Sequence, residues 1–328
     1  MDKLTQLYEK GLSRRNFLVG AGAIGAATLV AGCNDSGTVA VTPTPSPAAA
    51  FTDTDILNFA LNLEYLEAEF YLRAAGVSGG LAVTDIGTGT STTGTGAGAV
   101  TAGSSAQVPG LTAAQQQILN EIAFEEQSHV RFLRTALGSL AVARPAIDLS
   151  FFGNLATAAG ITGGTFNPFA SFDAFLIGAF IFEDVGVTAY SGAAGLISSA
   201  GITAGYLNAA AGILAVEAYH AGYVRTTITA RGITNSSNTY IAIANQVAAL
   251  RGTLSVGSNA GNTETNLVLP TTTATPSAIV AASTSGAIGF ARTVNQVHHI
   301  VYGSATVGVA KGGFFPQGTN SIFATTTA

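Results

Sequence analysis

Residues 213–224 read ILAVEAYHAGYV and place Glu217 and His220 three residues apart in an otherwise apolar stretch. Ionisable side chains are scarce in this chain, because only 9% of its 328 residues are charged and only four are histidines. Side chains three residues apart on a helix lie about 60° apart in projection and can converge on one point. The stretch therefore predicts a buried helix on which a glutamate and a histidine act together.

A second Glu-x-x-His pair occurs in EIAFEEQSHVRFLR, residues 121–134, as Glu126 and His129. Glu125 is an alternative to Glu126, since it stands four residues before His129. The match to the pair formed by Glu217 favours Glu126. The repetition of the pair on two predicted helices is a more specific signal than either copy alone.

Two further apolar segments each carry a glutamate that is followed seven residues later by a tyrosine. These pairs are Glu64 with Tyr71 and Glu183 with Tyr190. Seven residues return to nearly the same helix face, so each tyrosine is predicted to lie above its own glutamate. The tyrosines are either core aromatics or hydrogen-bond donors that orient the glutamates. Glu67 is the alternative to Glu64, and the parallel with Glu183 and Tyr190 favours Glu64.

The periodicity predicts an all-α fold, a four-helix bundle whose helices have the length of bundle axes. The predicted helices run over residues 53–75, 112–137, 171–197 and 204–230. A Gly/Thr-rich insertion at 77–110 is predicted to be flexible, with an ordered hairpin around residues 82–85 as the alternative. Residues 232–328 are predicted to be an irregular extension packed on the bundle.

The surroundings of Glu183 indicate a metal site. Its segment, FLIGAFIFEDVGV, is apolar on nearly all sides, where an isolated carboxylate is strongly penalised. Four carboxylates brought together would also repel one another, and divalent cations remove both problems. Carboxylate oxygens with one imidazole per ion suit two iron or manganese ions better than zinc. Glu69 and Glu121 are expected to be solvated.

These stretches resemble the ferritin-like superfamily, in particular the bacterial secreted ferritin-like proteins that are related to plant desiccation-related proteins. The resemblance implies a four-helix bundle over residues 52–231, with a long crossover between the second and third helices. It also implies Glu64 and Glu183 as bridging ligands, with the two Glu-x-x-His pairs as terminal ones. The implied metal ligands are Glu64, Glu126, His129, Glu183, Glu217 and His220. The superfamily includes ferroxidases, peroxidases, manganese catalases and oxygenases.

The N-terminus, SRRNFLVGAGAIGAATLVAGC at residues 13–33, resembles a bacterial twin-arginine export signal. Its last four residues, VAGC, resemble the lipobox of bacterial lipoproteins, in which the cysteine, here Cys33, is acylated. We therefore expect a signal peptide at 1–33, a Pro/Ser/Thr-rich tether at 34–51, and a protein of the periplasm or cell envelope held at the membrane by a lipid. Cleavage without lipidation is the alternative.

Composition argues against other classes of protein. The formal net charge is −5 and the basic residues are scattered, so nucleic-acid binding is not expected. A single cysteine excludes an internal disulfide framework. The sequence predicts an exported di-metal protein with redox chemistry on dioxygen or peroxide. The competing hypothesis is a non-enzymatic metal-binding or stress-protective envelope protein.

Overall fold

A computed structural model describes most of the chain after residue 50. The described residues are 51–87, 90–91, 94–103, 106–161, 166–235, 239–255, 264–268, 279–283 and 286–327. The predicted signal peptide with Cys33, and all of the predicted tether except Phe51, lie outside these residues. The described part belongs to one unit, Ala50–Ala328.

Helices dominate the described residues, which confirms the all-α prediction. The four long helices are α1 (Asp53–Ala74), α3 (Ala113–Leu137), α5 (Phe172–Ala194) and α7 (Tyr206–Thr234). The others are α2 (Val83–Ile86), α4 (Phe152–Ala158), α6 (Ser199–Thr203), α8 (Tyr240–Leu254) and α9 (Val294–Val301). No helix in the described ranges combines the length and the apolar character that crossing a membrane requires.

Side-chain caps define where the long helices begin. Thr52 and Thr112 each accept a hydrogen bond from the backbone three residues on, and the side chains of Asp55 and Gln115 return one to the cap backbone. Ser171 caps α5 through its side chain. These caps set the helix starts within two residues of the predicted positions.

The four long helices pack in two pairs, α1 with α3 and α5 with α7. The crossover between the pairs occupies residues 138–171 and contains α4 and a short strand, β4. Two minimal sheets lie within the described residues: β1 (Thr90–Ser91) pairs antiparallel with β2 (Gly94–Thr95), and β3 (Val100–Thr101) pairs in parallel with β4 (Ile147–Asp148). Helix α5 is buried on nearly every face, as its apolar sequence predicts.

The described part of the Gly/Thr-rich insertion makes defined contacts with the bundle. Residues 83–86 form α2, so the alternative of a hairpin at this point is wrong. Asp85 on α2 is buried and accepts hydrogen bonds from Arg131 on α3 at 3.0 and 2.9 Å. The paired charge holds this segment on the outer face of α3.

A buried ionic network attaches the C-terminal extension to α5. Asp184 accepts hydrogen bonds from Arg225 of α7 and from Arg251 of α8, each at 2.8 Å. Arg251 and Arg292 both contact Glu264, which extends the network through the described part of residues 232–328. Asp184 is the residue next to Glu183, so the network ties the extension to the helix that carries Glu183.

Candidate metal centre

The six residues predicted to bind metal come together inside the bundle. Each of the four long helices contributes, with Glu64 from α1, Glu126 and His129 from α3, Glu183 from α5, and Glu217 and His220 from α7. All six side chains are buried. The apolar helix faces that carry them meet along the bundle axis, so scarce polar groups from distant parts of the chain share one interior site.

The donor atoms form two groups, and in each group they lie within 4.8 Å of one another. The first group is Glu64, Glu126, His129 and Glu217, and the second is Glu126, Glu183 and His220. In the first, Nδ1 of His129 lies 3.2 Å from a Glu64 oxygen. In the second, Nδ1 of His220 lies 3.0 Å from Glu126 and 3.5 Å from Glu183. Two ions at these positions would be neighbours.

Glu126 is the carboxylate that both groups contain. Glu64 and Glu183 each belong to one group only. The geometry therefore differs from the expected roles, in which Glu64 and Glu183 bridge the ions. A carboxylate that lies between both histidines is placed to bridge, whereas one that faces a single histidine is placed as a terminal ligand.

The six residues fit a metal ion, because many of their buried polar atoms have no hydrogen-bond partner. Within the described part of the chain, at least one donor atom of each of the six side chains is buried without a hydrogen-bond partner. These atoms are Oε2 of Glu64 and Glu183, both carboxylate oxygens of Glu126 and Glu217, and Nδ1 of His129 and His220. Leaving so many buried polar atoms unpaired is costly, and coordination to a cation satisfies all of them.

The electrostatics of the cluster reflect the crowding of negative charge. Burial raises the pKa of Glu217 well above its usual value, and the neighbouring Glu67 and Glu126 raise it further. Burial disfavours the charged form of His129, but Glu64 and Glu126 outweigh it and raise its pKa to about 11. Glu217 and His129 therefore each favour binding a proton or, in its place, a metal cation.

Glu126 is the carboxylate with the opposite shift. Burial acts to raise its pKa, but close contact with His129 and His220 and the positive charge of these rings outweigh burial and lower it to about 2. The carboxylate that both donor groups share is therefore also the one that stays most firmly ionised. This state suits a bridging ligand, which needs both oxygens free of protons.

The two tyrosines donate hydrogen bonds to the cluster, but each to the other helix's glutamate. The Tyr71 hydroxyl donates to Oε1 of Glu183, and the Tyr190 hydroxyl donates to Oε1 of Glu64. The alternative that the tyrosines are hydrogen-bond donors to the glutamates therefore describes these contacts, with the partners exchanged between α1 and α5. Both tyrosines are fully or almost fully buried, so each fixes one oxygen of a terminal carboxylate and leaves the other for an ion.

Glu125 occupies a supporting position that the sequence did not indicate. Its Oε2 lies 2.7 Å from Nε2 of His220, on the side of the ring away from the cluster. A carboxylate at this nitrogen fixes the ring orientation and leaves Nδ1 for a metal. The side chain of Glu125 is 35% exposed, whereas Glu126 is fully buried, which settles which of the two faces the cluster.

A cleft of about 330 Å³ reaches His220 from the surface between α3 and α7. Its lining includes Glu121, Glu125, Tyr219 and Tyr223. Glu121 is exposed, as expected. Because His220 is part of its lining, the cleft brings one predicted ligand next to an open space.

Other ionisable residues have structural partners. Glu69 was expected to be solvated, but it is fully buried and pairs with Arg73 and Arg144. His298 and His299 on α9 are buried away from the six-residue cluster, and His298 packs against Phe59. Burial lowers the pKa of His298 to about 3, so it is a neutral packing residue.

The chain belongs to the ferritin-like domain family, whose model matches residues 52–230. It is 26% identical over 285 residues to the ferritin-like catalase Nec2 of Nesocodon mauritianus, a match that covers 83% of this chain and 85% of that protein. It is 27% identical over 213 residues to the desiccation-related protein PCC13-62 of Craterostigma plantagineum, over 62% of each chain. No solved structure matches the chain significantly.

Proposed function

We propose that this protein binds two iron or manganese ions and disproportionates hydrogen peroxide to water and dioxygen. The observation that carries the proposal is the set of buried, unpartnered donor atoms from six side chains on four helices. The supporting comparison is the relative named as a ferritin-like catalase. In the overall reaction, two peroxide molecules give two water molecules and one dioxygen, so no external reductant is needed.

In this proposal Glu64, His129 and Glu217 would hold one ion, and Glu183 and His220 would hold the other. Glu126 belongs to both donor groups and would be shared by the two ions. Both oxygens of Glu126 and of Glu217 are buried and unpartnered, which supports their role as ligands. When bound, the ions supply the one-electron redox steps and the Lewis acidity that peroxide cleavage needs.

The protein's own residues position the ligands and exclude water from them. Tyr71 and Tyr190 hold Glu183 and Glu64 in the orientation that points Oε2 of each to the cluster. Glu125 holds the ring of His220. Apolar core side chains surround these groups, so the cleft that ends at His220 is the proposed entry route for peroxide.

The test is metal content and oxygen evolution of purified protein loaded with Fe(II) or Mn(II). We expect about two ions per chain and catalytic release of dioxygen from hydrogen peroxide. Glu183→Gln should lose at least one ion and the activity, whereas the exposed Glu121→Gln is the matched control and should keep both. A protein that binds no transition metal after loading, or one in which Glu183→Gln changes nothing, contradicts the proposal.

A second candidate function is non-enzymatic metal binding in a protein that protects the cell envelope during drying. The similarity to a protein named as desiccation-related favours it. Two bound ions together with no turnover of peroxide would support this function over the first. Anomalous scattering at the iron and manganese edges identifies the ion in either case.

We further propose that the protein is exported and anchored by a lipid on Cys33. The twin-arginine stretch at Arg14 and Arg15 and the residues before Cys33 support this proposal. Mass spectrometry of the mature protein should find an acylated Cys33 at its N-terminus, and Cys33→Ser should release the protein from the membrane fraction. An unprocessed N-terminus would contradict export through this signal.

A further inference from the structure

Glu67 is a buried carboxylate on α1 that the two donor groups do not include. It lies three residues after Glu64, is 5% exposed, and its Oε2 has no hydrogen-bond partner within the described chain. Glu69 is equally buried, but two arginines satisfy it. Burying an ionisable group whose oxygen has no partner is destabilising, and a bound cation beside Glu67 would offset this cost.

Helix α5 leaves space for Glu67 at Gly186. A Cβ atom on Gly186 would lie 2.4 Å from Oε2 of Glu217 and 3.3 Å from Oε1 of Glu67. Any larger residue would therefore displace the Glu217 carboxylate. Glycine within a helix costs roughly 0.5–1 kcal/mol relative to alanine. Here it lets carboxylates from α1 and α7 approach the same point of α5.

A small cavity borders both Glu67 and Gly186. Its volume is about 20 Å³, enough for one water molecule, and Leu63, Val185 and Ile300 are among its apolar lining residues. Every described lining residue other than Glu67 is apolar or glycine, so this side offers the carboxylate no partner. The cavity leaves free space beside the Glu67 side chain, whose Oε1 lies on the same side of Gly186 as Oε2 of Glu217.

Electrostatic coupling ties Glu67 to the cluster. After burial, the largest causes that raise its pKa are Glu126, Glu64 and Glu183, and Glu67 is in turn the neighbour that most raises the pKa of Glu217. Four carboxylates balance the charge of two divalent ions. A fifth carboxylate, that of Glu67, would supply additional negative charge, which favours the oxidised, trivalent state of the ions.

We propose that Glu67 is a seventh protein ligand of the metal centre, which reaches the ion beside Glu217 by rotation of its side chain. This inference rests on the proposed function, since it requires that ions bind at the cluster. It assigns to Glu67 the role of a mobile carboxylate, distinct from the six ligands that the paired motifs define.

The test compares Glu67→Gln with Glu69→Gln in protein prepared without metal and loaded with Mn(II). Because Glu67→Gln replaces a buried ionisable group by a neutral one, its metal-free form should melt at or above the temperature of the wild type. Its Mn(II) affinity should fall, by about 10- to 100-fold if it behaves as other groups that support a metal site. Glu69→Gln breaks ion pairs and should melt lower in both forms, with its Mn(II) affinity unchanged.

The outcomes separate the two proposals. If the wild type and Glu183→Gln bind Mn(II) equally, or neither binds it, the metal centre itself is wrong and this inference falls with it. If the wild type binds and Glu67→Gln binds as tightly, only the role of Glu67 is wrong. Should Glu67→Gln fail to fold, a crystal of loaded wild-type protein decides, because the proposal requires a Glu67 oxygen about 2.0–2.5 Å from an ion. A longer distance in both the reduced and the oxidised crystal overturns it.

Discussion

The hydroxyl of Tyr71 on α1 donates a hydrogen bond to Glu183 on α5, and Tyr190 on α5 donates one to Glu64 on α1. The two contacts are exchanged between the same two helices, so each helix supplies one carboxylate and the tyrosine that orients the other helix's carboxylate. The exchange makes the candidate centre a joint product of both halves of the bundle. Neither half alone contains a complete set of ligands with their supporting donors.

Replacement of either tyrosine by phenylalanine should weaken the centre. We expect Tyr71→Phe to lower metal affinity or peroxide turnover by about 10- to 100-fold, because Glu183 loses the donor that fixes its orientation. Tyr190→Phe should act in the same way through Glu64. Calorimetric titration with Mn(II) measures the effect.

Tyr65→Phe is the matched control, since Tyr65 is buried on the same helix but its hydroxyl donates to the carbonyl oxygen of Val142. Its metal affinity should equal that of the wild type. Equal affinities for all three variants would show that the hydrogen bonds to Glu64 and Glu183 serve packing alone.

Removal of Glu125 should affect one metal position more than the other. Glu125 contacts His220, which belongs to the donor group with Glu183, and no described carboxylate lies within 4.0 Å of Nε2 of His129. In Glu125→Gln we therefore expect one ion to bind with about tenfold or greater loss of affinity and the other to bind nearly as in the wild type. A two-site titration resolves this difference, and an equal loss at both sites would contradict the assignment. Glu121→Gln, in the same cleft, provides the control.

The stability of metal-free protein should fall as pH rises from 5 to 9. The pKa values of four carboxyl groups and two imidazoles are raised in the folded protein, with burial the first cause for the carboxyl groups and neighbouring glutamates the cause for the imidazoles. These groups are Glu64, Glu67, Glu183, Glu217, His129 and His220. A raised pKa means that the folded state holds more protons than the unfolded state, so stability declines as pH rises above the unfolded values of 4.5 for Glu and 6.5 for His.

His298 opposes this trend between pH 5 and 6.5, because its pKa is lowered from 6.5 to about 3, but it is one group against six. Glu126 opposes the trend only outside the window from pH 5 to 9. Its pKa is lowered from 4.5 to about 2, so its contribution changes below pH 4.5. Bound ions replace the protons, and the melting temperature of loaded protein should depend less on pH. Calorimetry at pH 5, 7 and 9, in chelator and in Mn(II), measures both curves. A melting temperature that rises with pH in chelator would refute the charge crowding described above.

The ionic network behind Glu183 should contribute strongly to stability. Asp184→Ala removes the buried carboxylate that Arg225 and Arg251 share, and breaking a buried ion pair costs about 3–5 kcal/mol. Asp173→Ala is the control, because its pair with Arg231 is partly exposed and should contribute less than about 1 kcal/mol. Denaturant unfolding of the two variants gives the comparison. Equal small losses in the free energy of unfolding of the two variants would mean that this network does not hold the C-terminal extension to the bundle.

The positions of the four long helices followed from local signals. Threonine and serine caps, apolar periodicity and the doubled Glu-x-x-His spacing act within a few turns of one helix, so they are readable in a linear chain. The candidate ligands were readable for the same reason, since a carboxylate in a segment such as that of Glu183 has few alternatives to a partner in the interior. The segments rich in glycine and threonine lacked such signals, and α2 with its buried Asp85 was missed.

The roles within the centre depended on neighbours from other helices. Glu64 and Glu67 are three residues apart on α1, and the packing of α1 against α3 and α5 decides that Glu64 belongs to a donor group and that Glu67 lies beside it. Glu125 on α3 is a partner of His220 on α7 because these two helices pack side by side at these residues. Glu69 found its two arginines through the same kind of contact.

By itself the amino-acid sequence determined the all-α class, the four principal helices and the scarcity that singled out six buried donors, because these depend on side-chain chemistry and the pitch of a helix. The tertiary structure alone decided that Glu126 is shared, that the tyrosines exchange partners and that Glu67 lies beside the cluster. Those relationships are distances between helices, and they are fixed by how the helices rotate and slide as their apolar faces pack, which no single helix encodes.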